Sequence, residues 1–436
     1  LLRFGQGKHA DEIPRRVADL TAWTLASLVY TSGTTGEPKG AMLAHGNLVS
    51  NAVTAAPMLG VRPDDVELSF LPLSHVFERM LYYAMTFSGA SIAYAESIDK
   101  VPQNLLEVRP TLMASVPRLY EKIYGRIMEG VEKGPALRRS LFRWAIGVGR
   151  RYFEARQNGP TSNLLALERR FAYKLVLSKI HQRLGGNIRF LLTGSAPLRR
   201  DVGEFFLAAG FPLLEGYGLT ETSPIVSFNP PQKIKLGTVG RPLPEVEVRL
   251  ADDCEILVRG PNVMLGYWRK PEATAEAIQD GWFRTGDIGS FDEDGYLKIT
   301  DRKKELLVLS NGKKVAPAPI EELLKASSLI EQAVVLGDNR NFVSALIVPD
   351  FGALSRAGHA GTPAEQAANP AVMQAVMAEV ERLCAGLSGY EQVKKVALLP
   401  QELTQEAGEL TPTLKVKRRV VCQKYADTIE ALYGGG

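Results

Sequence analysis

The chain has 436 residues, 45% of them hydrophobic and 23% charged, with a formal net charge of +4. That length exceeds what one compact core supports, so at least two domains are expected, and the balance of apolar and charged residues is that of a soluble globular protein. Three widely spaced cysteines (Cys254, Cys384, Cys422) with no CxxC pair, and five histidines (His9, His45, His75, His181, His359) without metal-ligand spacing, argue against a disulfide framework or a zinc cluster and fit a reducing cytoplasm.

The apolar run LASLVY (25–30) reads as a strand and passes directly into YTSGTTGEPKG (30–40). No basic-then-apolar leader precedes it and the first residue is Leu1, so the chain reads as the later part of a longer protein. A helix is expected near 47–58, a strand in DDVELSFLPL (64–73), a helix near 78–86 and a strand in ASIAYA (90–95). Residues 80–95 are uncharged, but they include Thr86, Ser88, Gly89 and Ser91 and fall short of the roughly 20 apolar residues that a membrane span needs.

Between 137 and 185 there are eleven Arg or Lys and two Glu, with apolar residues recurring every three or four positions. Basic amphipathic helices follow from that pattern. The plainer account of them is a solvated face packed by its other side; the sharper one is contact with anionic lipid headgroups or a polyphosphate.

NIRFLLTG (187–194) and FPLLEGYG (211–218) each read as a strand ending in glycine. Strands alternating with helices over the first two-thirds predict an α/β fold, a largely parallel sheet covered on both faces, with ligands gathered at the carboxyl ends of its strands. From about Gly237 the pattern changes to short antiparallel strands with tight turns, in VEVRLADDCEILVRGP (246–261) and DGYLKITDRKKELLVL (294–309). A smaller α+β section follows, with helices near 320–326 and 370–387, and the charged run 301–305 reads as a linker or a solvated turn.

In YTSGTTGEPKG the glycines let backbone N–H groups approach an anion, Thr31, Ser32, Thr34 and Thr35 supply hydroxyls, and Lys39 offsets charge. The Walker spacing is absent: Gly36 stands three residues before Lys39, and Gly40 follows where Ser or Thr would hold magnesium.

Together with LPLSHVFER (71–79), GYGLTETSP (216–224), GWFRTGD (281–287) and DGYLKITDRKKELLVLSNGKKVAP (294–317), this loop resembles the signature of the adenylate-forming enzymes: acyl-CoA synthetases, luciferases and peptide-synthetase adenylation domains. The resemblance implies a large domain over 1–302, part of whose N-terminal portion precedes this chain, and a small mobile C-terminal domain over 303–436. It implies that Thr31, Ser32, Gly33, Thr34, Thr35, Gly36 and Lys39 hold the β- and γ-phosphates of ATP. Gly194, Ser195, Ala196, Gly216, Tyr217 and Gly218 would then flank adenine, with Asp287 and Arg302 on the ribose, Thr220 on the α-phosphate and Glu221 on Mg²⁺. His75 would position the acyl carboxylate and Lys304 would be the hinge. Lys415, preceded here by Leu414 where many relatives have glycine, would bridge carboxylate and phosphate; Lys417, Arg418 and Arg419 read as ordinary surface charges.

The reaction so implied joins a carboxylate to the α-phosphate of ATP, releases pyrophosphate, and passes the acyl group to a thiol as AMP leaves. The length between the His75 block and GYGLTE, with VRPTLMASVPRLYEKI (108–123) and GNIRFLLTGSAPLRRDVGEFF (186–206), resembles bacterial long-chain fatty acyl-CoA synthetases. Long-chain fatty acid, ATP and CoA are the expected substrates, and nucleic acid is not an expected partner. The chain is expected in the cytoplasm, with the basic helices at the inner membrane face. Alternatives are an acyl-AMP ligase serving a carrier protein, a CoA ligase for another acid, and a non-enzymatic basic module that binds membranes or nucleic acid.

Overall fold

The structure, a computed structural model, describes residues 12–31, 38–303, 306–410 and 416–434. Its centre is a seven-stranded sheet in the spatial order Ser91–Tyr94, Val66–Ser69, Leu112–Ser115, Phe190–Thr193, Leu213–Gly218, Ile225–Phe228, Arg241–Pro242. The first five run parallel and the last two antiparallel. LMAS and FLLT are buried along their whole length, as strands covered on both faces must be. Helices Pro117–Glu132, Ala136–Asn158 and Arg200–Ala209 pack on one face around Tyr120, Phe206 and Phe211. His45–Leu59 and Val76–Phe87 cover the other around Met80, Leu81 and Met85.

The strand Leu25–Thr31 departs from the sequence reading. It lies outside the parallel sheet, pairing antiparallel with Lys39–Ala44 (Tyr30 opposite Gly40, Thr31 opposite Lys39), and Gly266–Tyr267 adds a third strand. Seven residues separate Thr31 from Lys39 in the sequence, fewer than the dozen or so that a parallel crossover needs. Gly40 accommodates the Tyr30 ring: a Cβ there would come within 3.2 Å of it.

The second sheet is antiparallel as expected, with Glu247–Leu250 against Glu255–Arg259, then Trp282–Phe291 joined by Ile278–Gln279 and Leu297–Arg302. The C-terminal part has a three-stranded sheet of Ile330–Leu336, Val343–Pro349 and Val393–Leu398, covered by Pro317–Leu324 and Pro370–Cys384. It meets the large part through Arg199, which donates to the Lys325 carbonyl at 2.9 Å, and Arg118, which pairs with Glu331 at 3.2 Å.

Residues 80–95 divide into the end of a helix and the strand Ser91–Tyr94, and among the described residues no helix is long and apolar enough to cross a membrane. The basic segment forms helices Ala136–Asn158, Asn163–Ala172 and Ser178–Arg183, the last two joined by a π-turn, Tyr173–Leu177. Phe142, Ala145, Val148, Ala172 and Leu177 enter the core. The opposite face is not simply polar: Leu164, Leu167, Phe171 and Leu175 are 69%, 51%, 54% and 47% exposed, one stripe at helical spacing among Arg170 and Lys174. The three cysteines form no disulfide.

Candidate active site

A cavity of about 1800 Å³ opens at the carboxyl ends of the parallel strands, lined by parts of the large domain and by Val416 to Val420 of the C-terminal section. GYGLTETSP forms its floor. The strand Leu213–Gly218 leads into a 3-10 turn, Thr220–Thr222, locked by the Thr222 hydroxyl, which donates to the Pro224 carbonyl (2.5 Å) and accepts from the Leu219 amide (2.9 Å). Gly218 is required by close approach: a Cβ there would lie 1.8 Å from the Pro224 carbonyl oxygen. Asn51 and Asn262 donate to the Ile225 carbonyl at 2.8 and 3.0 Å, and the Met264 amide donates to the Glu221 carbonyl at 2.8 Å, fixing the turn from two sides.

Thr220 and Glu221 line the cavity. Glu221 Oε1 accepts from the Tyr267 hydroxyl at 2.8 Å, and the Lys39 ammonium sits over the same ring, 5.0 Å from its centre. Burial and then the Glu221 charge push the Tyr267 phenol well above its ordinary range, so it stays a donor. The residue expected on Mg²⁺ and the one expected on phosphate thus share a tyrosine that sequence reasoning missed. Its only local signal was an aromatic in a GY pair far along the chain from either partner.

Asp287, 2% exposed, faces Arg302 across an antiparallel pair of strands. Its Oδ1 accepts from Arg302 Nε at 2.9 Å and its Oδ2 from the Tyr217 hydroxyl at 2.7 Å. Burial and the Asp287 charge raise the Tyr217 phenol well above its usual range, so this hydroxyl too remains a donor. Tyr217, Thr285, Gly286 and Arg302 line the cavity, with Asp287 seated behind them. Gly194 and Ser195 form the neighbouring wall beside Gly216 and Gly218, and Ala196 continues the turn. Ser195 has a left-handed backbone (φ 69°), which turns the chain away from the strand.

His75 lines the cavity as the N-cap of Val76–Phe87, its Nδ1 accepting from the Phe77 amide at 3.3 Å. The Thr31 hydroxyl donates to the Lys39 carbonyl at 3.3 Å. Ser32, Gly33, Thr34, Thr35, Gly36, Lys304 and Lys415 lie outside the described residues. Lys417, Arg418 and Arg419, expected as surface charges, all border the cavity. Arg418 is internally bound: it donates to Glu321 at 2.7 Å and to the Val335 carbonyl, because its helix begins against the C-terminal sheet.

A family profile described as "AMP-binding enzyme" matches residues 3–268, and one described as "AMP-binding enzyme C-terminal domain" matches 304–435. The long-chain-fatty-acid–CoA ligase FadD15 of Mycobacterium bovis is 41% identical over 442 residues, covering 99% of this chain and 73% of that protein. The chain belongs to the adenylate-forming, AMP-binding enzyme family.

Within that family, the peroxisomal long chain acyl-CoA synthetase 7 of Arabidopsis thaliana is 36% identical over 434 residues, 94% of this chain and 61% of that protein. The crystal structure of ATP-bound MatB from Rhodopseudomonas palustris superposes with a TM-score of 0.68 at 28% identity, covering 94% of this chain and 70% of that one. The expected α/β fold, with its smaller C-terminal section, is that of these adenylate-forming enzymes.

Proposed function

We propose that this protein activates a long-chain fatty acid with ATP, forming the acyl-adenylate and pyrophosphate, and then transfers the acyl group to CoA. The observation that carries this reading is 41% identity over 99% of the chain to a long-chain-fatty-acid–CoA ligase. The cavity supports it: besides the polar floor it has an apolar wall of Leu59, Phe77, Met80, Leu192, Leu214 and Phe228, the surface an alkyl chain would seek.

In this reading adenine stacks near Tyr217 between Gly194–Ala196 and the Gly216–Gly218 turn. The ribose hydroxyls meet Arg302 at the cavity wall, and Asp287, seated behind it and held by Arg302 and Tyr217, accepts from them once those two side chains shift aside. Thr220 donates to the α-phosphate, and residues 31–36 with Lys39 hold the departing pyrophosphate. Among the described residues no group of three or more His, Cys, Asp or Glu is placed to hold a metal. A single carboxylate, Glu221, nevertheless fits Mg²⁺, which takes most of its oxygens from phosphates and water. When bound, the ion offsets phosphate charge as the carboxylate oxygen attacks the α-phosphorus. His75 orients the acyl carboxylate, and Lys415 stabilises charge building at the α-phosphorus.

The division into 1–302 and 303–436, and rotation of the smaller part about Lys304 between the two half-reactions, belong to the same proposal. So does peripheral contact of the basic helices 137–185 with an anionic membrane surface, supported by the exposed stripe Leu164, Leu167, Phe171 and Leu175 beside Arg170 and Lys174.

The test is a fatty-acid panel assayed for both pyrophosphate release and acyl-CoA. Fatty-acid-dependent pyrophosphate release with CoA-dependent thioester is the expected result. Pyrophosphate release without acyl-CoA would favour a carrier-protein acceptor, and no response to any fatty acid would overturn the reading.

A further inference from the structure

The loop that carries His75 joins the strand Val66–Ser69 to the helix Val76–Phe87. Ser69 is the last residue of that strand and Glu78 the third of that helix, and the Ser69 hydroxyl donates to Glu78 Oε1 across the base of the loop. The two side chains are buried, at 4% and 1% exposure. Between them run residues 70–75, of which Pro72, Ser74 and His75 line the cavity.

A glutamate at the third helical position ordinarily folds back on the N-cap amide. Here it reaches the preceding strand, and the N-cap contact is made by His75 Nδ1. The arrangement is costly. Glu78 lies close to Glu67, itself 1% exposed, and neither oxygen of Glu67 nor Oε2 of Glu78 has a hydrogen-bond partner. Burial pushes the Glu67 carboxyl up to about 9, with help from the Glu78 charge, and pushes Glu78 up to about 7 against the pull of Ser69. A carboxyl so placed on a helix otherwise seated by Met80, Leu81 and Met85 destabilises the core unless its contact with Ser69 is used.

We propose that Ser69 and Glu78 form a clamp across the base of the 70–75 loop that fixes His75 at the cavity wall, making Glu78 a positioning residue for the acyl carboxylate. The effect on turnover rests on the proposed acyl-activating reaction; the effect on His75 does not.

The experiment uses the full chain with ¹³C-labelled histidine, the His75 signal being assigned by its loss in His75→Gln. Ser69→Ala and Glu78→Met are expected to displace that signal, whereas Glu78→Gln, whose amide oxygen still accepts from Ser69, keeps it in place. In parallel, Ser69→Ala and Glu78→Met raise KM for fatty acid about tenfold, the loss of one well-placed hydrogen bond, and leave KM for ATP within about twofold. Glu78→Gln restores both. Should Glu78→Met fail to fold, Ser69→Ala carries the comparison alone. A His75 signal indifferent to Ser69→Ala, or a KM for ATP that rises as far as that for fatty acid, would overturn the clamp. If His75 moves as expected but the wild type releases no pyrophosphate with fatty acids, the clamp stands and the proposed function falls.

Discussion

The Tyr267 hydroxyl donates to Glu221 Oε1 at 2.8 Å while its ring carries the Lys39 ammonium at 5.0 Å. The tyrosine therefore orients the carboxylate proposed for Mg²⁺ and holds the nearby cation by its π face, two tasks that phenylalanine would divide. Tyr267→Phe keeps the ring under Lys39 and removes the donor. Its pyrophosphate release should fall about tenfold, mostly through a higher requirement for Mg²⁺. Glu221→Gln, which removes the metal-binding charge itself, should fall by about a hundredfold or more. A magnesium titration of both variants checks the order.

Asp287 binds Arg302 and Tyr217 through different oxygens. Asp287→Asn turns one acceptor into a donor facing a guanidinium or a phenol, so AMP affinity should drop by about 10–100-fold. Tyr217→Phe keeps the aromatic face and should cost less than tenfold. Calorimetric titration with AMP reads both.

Lys415→Ala should abolish adenylation, by about a hundredfold or more, yet largely spare thioester formation from supplied acyl-adenylate. Single-turnover assays of the two half-reactions make the comparison, and equal loss of both would remove Lys415 from its proposed role.

Glu67 keeps its proton in the fold up to about pH 9 but loses it near 4.5 when exposed. Between those values the folded chain binds more protons than the unfolded one, so this group's contribution is present in full below 4.5 and drains away as pH rises toward 9. Glu67→Gln lacks the titration. Relative to the wild type it should gain stability as pH climbs through that window, by on the order of 1–3 kcal/mol. Urea unfolding at pH 5, 7 and 9 measures the slope.

Phe171→Glu and Leu167→Glu sit on exposed positions and should leave pyrophosphate release in detergent-dispersed fatty acid within about twofold. Sedimentation with anionic vesicles should fall severalfold, since each removes apolar insertion and adds a charge that the headgroups repel. Equal sedimentation of wild type and variants would exclude this face as the contact.

Much of the architecture is legible in local sequence because its signals are local. NIRFLLTG, a mostly apolar run closed by glycine, contains the strand Phe190–Thr193, buried at every position, whereas the glycine of TGD marks no chain reversal: residues 285–287 lie inside the strand Trp282–Phe291. The hairpin Leu25–Thr31 with Lys39–Ala44 was misplaced because a strand's period shows its faces and not its neighbour. Tyr267 escaped notice for a related reason. It meets Glu221 from 46 positions away in the chain, and no spacing rule spans that distance. Arg418 looked like one of three surface cations, and only the packing of its helix against Glu321 and Val335 sets it apart from Lys417 and Arg419.

Arg118 and Arg199 hold the C-terminal part against the large one through a half-exposed carboxylate and a single carbonyl oxygen. The partly exposed ion pair is worth about 1 kcal/mol or less, and the less exposed, charge-assisted bond from Arg199 about 1.5–3 kcal/mol. Salt screens the first of these contacts and not the second, whose acceptor carries no net charge, so added salt should weaken the seam at Arg118 while leaving Arg199 in place.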